Sequence, residues 1–288
     1  MGMARRKVAI GVLAILMSGP SSLAETSDLL CQSPKIQTQQ SSEQRSYCQT
    51  ISVATSQTAP LASVCEFATS LRGELPKYVC DETVSRFEPS PLVDPQLDLM
   101  TDVITAEVTF ENGHDSYRHI TLNHKPINQT IPELSGMSSA GEFGGLLQAI
   151  FKPQSAADFK FTKKHSLRSK SALVYAFHVA ARNNSSWWLR VHESLIFPGF
   201  EGVLWLNQAT EALMRVEVRA TEIPHGFPMT EITATTDYAE VQFSDGSRFP
   251  LPIKSETVAR FKDKAFRNVI VFTNCHEFAA THQILFPK

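Results

Sequence analysis

Two runs of alternating residues joined by a polar turn, within residues 202–224, constrain this chain more than any other stretch. Val203 and Trp205 alternate with Leu204 and Leu206, residues 207–210 form the turn, and Met214, Val216 and Val218 alternate with Arg215, Glu217 and Arg219. Side chains on a strand point to opposite faces with a period of two, so the stretch reads as a β-hairpin. A lone hairpin is marginal in water. The rest of the chain must therefore supply a sheet for it to join.

The same patterning recurs along most of the sequence. Residues 78–87 are the first candidate strand. Ile104, Ala106, Val108 and Phe110 alternate with Thr105, Glu107 and Thr109, Asn112-Gly113 supplies a turn, and residues 117–122 return. In residues 172–180, Leu173, Tyr175, Phe177 and Val179 share one face and mostly small residues the other, which suits a curved sheet. Residues 187–192, 238–243, 249–253, 269–274 and 281–286 bring the count to about a dozen strands in mostly consecutive, antiparallel order. Pro250 and Pro252 cannot donate to a ladder, so residues 249–253 are expected at a sheet edge or with one open side. Trp187 and Trp188 are neighbours on a strand, which predicts one in the core and one exposed or at an interface.

Two segments break this pattern with helical periods. Thr58 and Pro60 read as a helix start, and Leu61, Val64, Cys65, Ala68 and Leu71 fall on one face before Gly73. That face packs Cys65 as a buried, inert thiol. Ser139 and Glu142 match a capping box, followed by a stripe of Phe143, Leu146, Leu147, Ile150 and Phe151 that ends near Pro153. Gly141, Gly144 and Gly145 crowd its first turn, and each interior Gly costs about 1 kcal/mol relative to Ala. Packing must hold this segment, either as a helix against the sheet or as a mobile lid over an apolar groove.

The N-terminus points to export. Arg5, Arg6 and Lys7 precede an apolar run over residues 8–17, Gly19-Pro20 breaks it, and Ser22-Leu23-Ala24 offers small residues for a signal peptidase. The run is too short to span a bilayer as a helix, and no later run is long and apolar enough. The expected organisation is a cleaved signal over residues 1–24, a flexible Ser/Gln/Thr-rich leader over residues 25–57 and one domain over residues 58–288, in the periplasm or secreted. Loss of the three bases in residues 1–24 leaves 24 bases against 29 acids, a net charge of −5. This mild negative balance without a basic run argues against nucleic acid and anionic membrane surfaces.

Five cysteines in an oxidising compartment predict disulfides. Cys80 with Cys275 is the first pairing, because each sits in a strand-like run and together they tie the first strand to a late one. Cys31 with Cys48 is the second. Neither C-x-x-C nor a Cys/His finger spacing occurs, so no metal site is expected. His114, His119 and His124 recur every five residues, which alternates them between strand faces. His276-Glu277 with His282 is not H-E-x-x-H, and G-x-S-x-G, the P-loop and G-x-G-x-x-G are all missing. Asp237 beside Tyr238 and His192 beside Glu193 read as local placements on strands. No catalytic residue and no cofactor is assigned, and an unspecified hydrolase is the least favoured reading.

A helix before a long antiparallel sheet, a helical insertion in its middle and the hairpin V-L-W-L-N-x-x-T-x-x-L-M-R-V-E resemble the lipoprotein-carrier superfamily that includes LolA, LolB and the N-terminal domain of RseB. Residues 203–206, Thr210, Leu213, Arg215 and Glu217 carry the likeness. The resemblance implies an α+β, mainly β fold: a long curved antiparallel half-barrel with helices on its concave face. It also implies an apolar groove for a lipid, an acyl chain or a lipoprotein. Tyr175, Phe177, Trp205, Val216 and Val218 would line that groove, and Phe143, Leu147 and Phe151 would cover it. The alternative is a sensor or interaction module that binds a protein partner at the sheet edge, over residues 249–253.

Overall fold

The computed structural model describes residues 7–12, 47–48, 59–71, 78–90, 94–111, 114–243, 246 and 248–277. Most of residues 1–57, Cys31 among them, lies outside the described residues, as do Gly73, the Asn112-Gly113 turn and the strand expected at 281–286.

The first half of the chain gives β1 (Lys7–Val12), helix α1 (Ala59–Ser70), β2 (Tyr78–Ser90), β3 (Asp94–Glu111), β4 (His114–Leu122), β5 (Lys125–Pro126) and β6 (Gly136–Ser139). Helix α2 (Gly145–Phe151) leads to β7 (Asp158–Leu167), β8 (Lys170–Val179), β9 (Trp187–Val191) and β10 (Ser194–Ile196). The hairpin follows as β11 (Gly199–Asn207) and β12 (Leu213–Thr221), then β13 (Met229–Gln242), β14 (Arg248–Phe261) and β15 (Ala265–Glu277).

Eleven strands form one open antiparallel sheet in the order β5-β4-β3-β2-β15-β14-β13-β12-β11-β8-β7. Register carries a single row of residues across nine of them: Tyr175, Leu204, Val216, Thr236, Ser255, Ile270, Val84, Ile104 and Leu122. All but the last are buried. The two hydroxyls in mid-row satisfy each other, with Thr236 Oγ1 3.0 Å from Ser255 Oγ. This row marks the inner face of the sheet, against which α1 and α2 pack.

Contacts of the α2 segment show that the sheet curves. The Phe143 ring lies 5.1 Å from Tyr78 on β2 and 5.5 Å from Phe272 on β15, while Phe151 stacks on Phe159 of β7 at 5.2 Å. Seven strand spacings of about 4.8 Å would separate β2 from β7 by about 34 Å in a flat sheet. Eight residues of turn and helix advance only about 12 Å. One short segment reaches both strands because the sheet wraps around it. An open curved antiparallel sheet with helices on its inner face is the architecture that the resemblance implies.

Residues 249–253 do not form a sheet edge. β14 lies between β13 and β15, yet Arg248 to Pro252 pair with β13 alone and the β15 ladder starts at Lys254. The two prolines thus occupy the one-ladder half of an internal strand, the placement their missing N–H requires.

A second, four-stranded sheet runs in the order β10-β9-β1-β6. Here Lys7–Val12, the described part of the apolar N-terminal run, is a strand parallel to β6 and antiparallel to β9. Trp187 and Trp188 are both buried, so neither is the exposed partner that adjacency predicts. Trp187 packs edge-on against Phe200, and Arg190 lies 5.3 Å over the Trp188 ring.

Disulfides join Cys80 to Cys275 and Cys48 to Cys65. The first is the pairing expected from the strands. The second corrects both the Cys31–Cys48 pairing and the inert thiol at Cys65. The inward face of α1 that buries Cys65 also brings it to Cys48, with a Cα separation of 5.5 Å.

Candidate functional site

The candidate site is the inner face of the sheet together with residues 135–151 lying over it. Seven of the eight groove and lid residues meet there. Phe143, Leu147, Phe151, Tyr175, Phe177, Val216 and Val218 all belong to one buried cluster. Trp205 does not. Leu204 is the residue opposite both Tyr175 and Val216, so period-two geometry turns Trp205 to the outer face, opposite Val174 and Arg215. Its ring there meets His165 edge-on at 5.6 Å. The space beneath α2 is filled by the side chains of residues 143–151 themselves, with Phe143, Leu147 and Phe151 at most 1% exposed.

The helix begins later than the capping-box reading predicts. Ser139 ends β6, Gly141 takes φ +102°, and α2 starts at Gly145 with Gly144 as its cap. Glycines at this bend let the chain turn from strand to helix within five residues. Phe143 therefore precedes the helix instead of riding on it. The C-terminal end is closed by Ser155, whose Oγ donates to Ile150 O and Lys152 O at 2.7 Å each. Gln148 donates to Ala68 O and so couples α2 to α1.

A cluster of acids and phenols lies under this bend. Asp115 Oδ2 accepts N–H bonds from Gly141 at 3.0 Å and Phe143 at 3.1 Å, anchoring the turn to β4. Its other oxygen, Oδ1, and the hydroxyls of Tyr78 and Tyr238 have no hydrogen-bond partner among the described residues. Glu82 and Glu142 are 3% and 8% exposed. Burial pushes the Asp115 carboxyl up to about 6 against its backbone bonds. Burial likewise lifts Glu142 to about 7, with the Ser139 hydroxyl opposing and the Asp115 charge adding. Glu82 is raised well above the usual carboxylate range by burial and then by the charges of Glu142 and Asp115. Burial in a dry site, with the Asp115 charge adding, lets Glu82 and Glu142 hold protons into the neutral range.

Next to it, Arg86 and Asp102 form a buried bidentate pair at 2.5 and 2.7 Å. The same guanidinium donates to Ser135 O at 2.7 Å and Met137 O at 3.4 Å, and Asn268 Nδ2 reaches Met137 O at 3.3 Å. This network ties β6 to the sheet. Residues 135–151 are thus fixed by an ion pair at one end, a carboxyl cluster at the bend and apolar contacts along α2.

Two openings flank the site. One of about 600 Å³ lies between α1 and the ends of β12 and β14, lined by Ser63, Phe67, Leu213 and Phe249 among others. The other, about 990 Å³, crosses β7, β8, β11, β12 and β13 around Gly202, with Lys160, His178, Glu201 and Arg219 at its walls. Gly202 is required there, because a Cβ would lie 1.8 Å from Glu217 O. No group of three His, Cys, Asp or Glu side chains suited to a metal ion occurs among the described residues.

Sequence reasoning missed Glu82, Arg86, Asp115 and Glu142. One signal was present: Glu82 and Arg86 fall in phase with Tyr78, Cys80 and Val84, so two charges stand on the inward row of a strand. Asp115 and Glu142 carry no such signal, since only the fold brings them together.

No family model and no curated protein matches the chain. Among solved structures it is similar to an outer-membrane lipoprotein-sorting protein domain from Vibrio parahaemolyticus, at 8% identity and a TM-score of 0.38, over 77% of this chain and 93% of that one. It is also similar to a LolA superfamily protein from Nitrosomonas europaea, at 10% identity and a TM-score of 0.35, over 78% and 96%. A DUF1329 family protein from Desulfovibrio piger gives 10% identity and a TM-score of 0.38, over 77% and 95%.

Proposed function

We propose that this chain is an extracytoplasmic, non-enzymatic binding protein that holds a lipid or acyl chain on the inner face of its sheet, with residues 135–151 as the lid. One observation carries the reading: the apolar side chains of Phe143 and α2 fill the hollow of an open sheet, while polar bonds that can be broken and remade hold the segment at β6 and at the bend. The two disulfides support a location outside the cytoplasm.

The energetics are balanced. Three lid side chains at about 2 kcal/mol each give closure about 6 kcal/mol, which about eight methylenes at about 0.8 kcal/mol would match. A long acyl chain therefore competes with the lid for the same face, and a short one does not. The test is mass spectrometry of the protein purified from a periplasm, native and then after organic extraction. The expected result is a stoichiometric acyl mass, lost in Phe143→Ser/Phe151→Ser. An apo mass, with no uptake of an apolar dye, rejects the proposal. The second reading, a protein partner adding a strand, draws on the one-ladder half of β14 at residues 248–253.

A further inference from the structure

The small sheet joins the proposed lid, through β6, to strands that lie outside it. β1 is its second inner strand, and it is held by two partners of opposite sense. Lys7, Val8, Ala9 and Ile10 pair in parallel with Gly136, Met137, Ser138 and Ser139. Val8, Ala9, Ile10, Gly11 and Val12 pair antiparallel with Val191, Arg190, Leu189, Trp188 and Trp187. β6 and β9 do not pair with each other, so β1 alone completes the sheet.

β1 belongs to the run that reads as a cleaved signal. Cleavage after residue 24 removes it and leaves a slot with two facing strand edges. Met137, Ser138, Ser139, Trp187, Leu189 and Val191, all buried with β1 in place, would form the surroundings of that slot. Its rims are the unpaired N–H and C=O groups of two backbones, which cost free energy when buried without partners. An acyl chain offers them nothing. An extended peptide offers a complete set.

We propose that the slot between β6 and β9 is a binding site for an extended apolar segment of a partner protein, which adds as a strand in the place that Lys7–Val12 fills in the unprocessed chain. The inference does not require lipid binding, although β6 belongs to the proposed lid, and it rests on the cleavage expected from the sequence. The register also sets a preference. Val8, Ile10 and Val12 stand opposite Val191, Leu189 and Trp187, while Ala9 and Gly11 stand opposite Arg190 and Trp188. The segment that fits has apolar residues at the alternate positions that stand opposite the buried Val191, Leu189 and Trp187.

The protein exported to a periplasm is weighed first. Loss of residues 1–24 is expected, and a mass that retains them overturns the proposal, because the slot then stays filled. In the processed Trp205→Phe protein, Trp187 and Trp188 are the remaining tryptophans. A synthetic peptide of residues 5–14, RRKVAIGVLA, is expected to change their emission saturably. The same peptide with Ala9→Pro and Gly11→Pro, which lacks two N–H donors, is expected to bind at least about tenfold more weakly. No binding of either peptide, or equal binding of both, overturns the proposal. Calorimetry on the processed protein with Trp205 intact gives the same comparison if the substitution disturbs the outer face. Lipid is read separately by extraction, so failure of one reading leaves the other standing.

Discussion

Replacing Glu142 by Gln tests whether the carboxyl cluster sets how the stability of the folded protein depends on pH. In the unfolded chain this carboxyl ionises near 4.5, and in the folded chain near 7, because burial disfavours its charge. Between those values the folded protein keeps a proton that the unfolded one has lost. The stabilisation is full below about 4.5 and disappears as pH rises through about 7. From pH 4.5 to pH 8 the loss is about 3 kcal/mol for this one group. Asp115, raised to about 6, and Glu82 add losses of the same sign. Glutamine keeps the shape and cannot ionise, so Glu142→Gln is expected to lose about 3 kcal/mol less than the parent over that range. Urea titrations at pH 4.5, 6 and 8 give the two profiles. Parallel profiles would refute the reasoning, since Glu142 would then be as well solvated in the folded protein as in the unfolded chain.

Three further outcomes follow from the packing. Arg86→Met strands Asp102 in the core and is expected to destabilise by about 3–5 kcal/mol, whereas Arg86→Met/Asp102→Leu recovers much of that loss; chemical denaturation of both variants checks it. Cys80→Ser/Cys275→Ser opens a link across a sequence separation of 195, and chain entropy puts the loss at about 5 kcal/mol, read from urea midpoints under non-reducing conditions. Gly202→Ala forces β11 away from β12 and is expected to cost about 1–3 kcal/mol, visible as a lower melting temperature. A melting temperature unchanged by that substitution would show that the two backbones separate freely at this point.

Most of the sheet is legible in the sequence because alternation is local. Residues 104–110 and the hairpin declare their faces within a few positions, and the Cys80–Cys275 link follows from which runs are strands. Strand order is not local, and Pro250 shows the consequence: its missing N–H demands an open side, which an internal strand supplies as well as an edge does. The groove reading places Trp205 one residue out of phase, since Leu204 and Leu206 are as apolar as Val203 and Trp205 and hide which set faces inward. The helix start at Ser139 fits the capping pattern, but the strand pairing of β6 outweighs it, with Gly141 turning the chain. The acids of the cluster come from three separate elements, and no spacing rule joins them.

The position of β15 governs when this molecule can exist. It is the last strand described, yet it lies between β2 and β14 and is bonded through Cys275 to the first strand of the large sheet. A chain that emerges N-terminus first can form the β2 to β5 and β7 to β14 portions as separate ribbons, each with a raw inner edge. Only arrival of residues 265–277 welds them together. Until then, long-range closure has not occurred and the apolar row ends at open borders on both sides. A chain truncated before residue 265 should therefore behave as two sticky half-sheets, and a chain that emerges N-terminus first needs protection until residues 265–277 have followed.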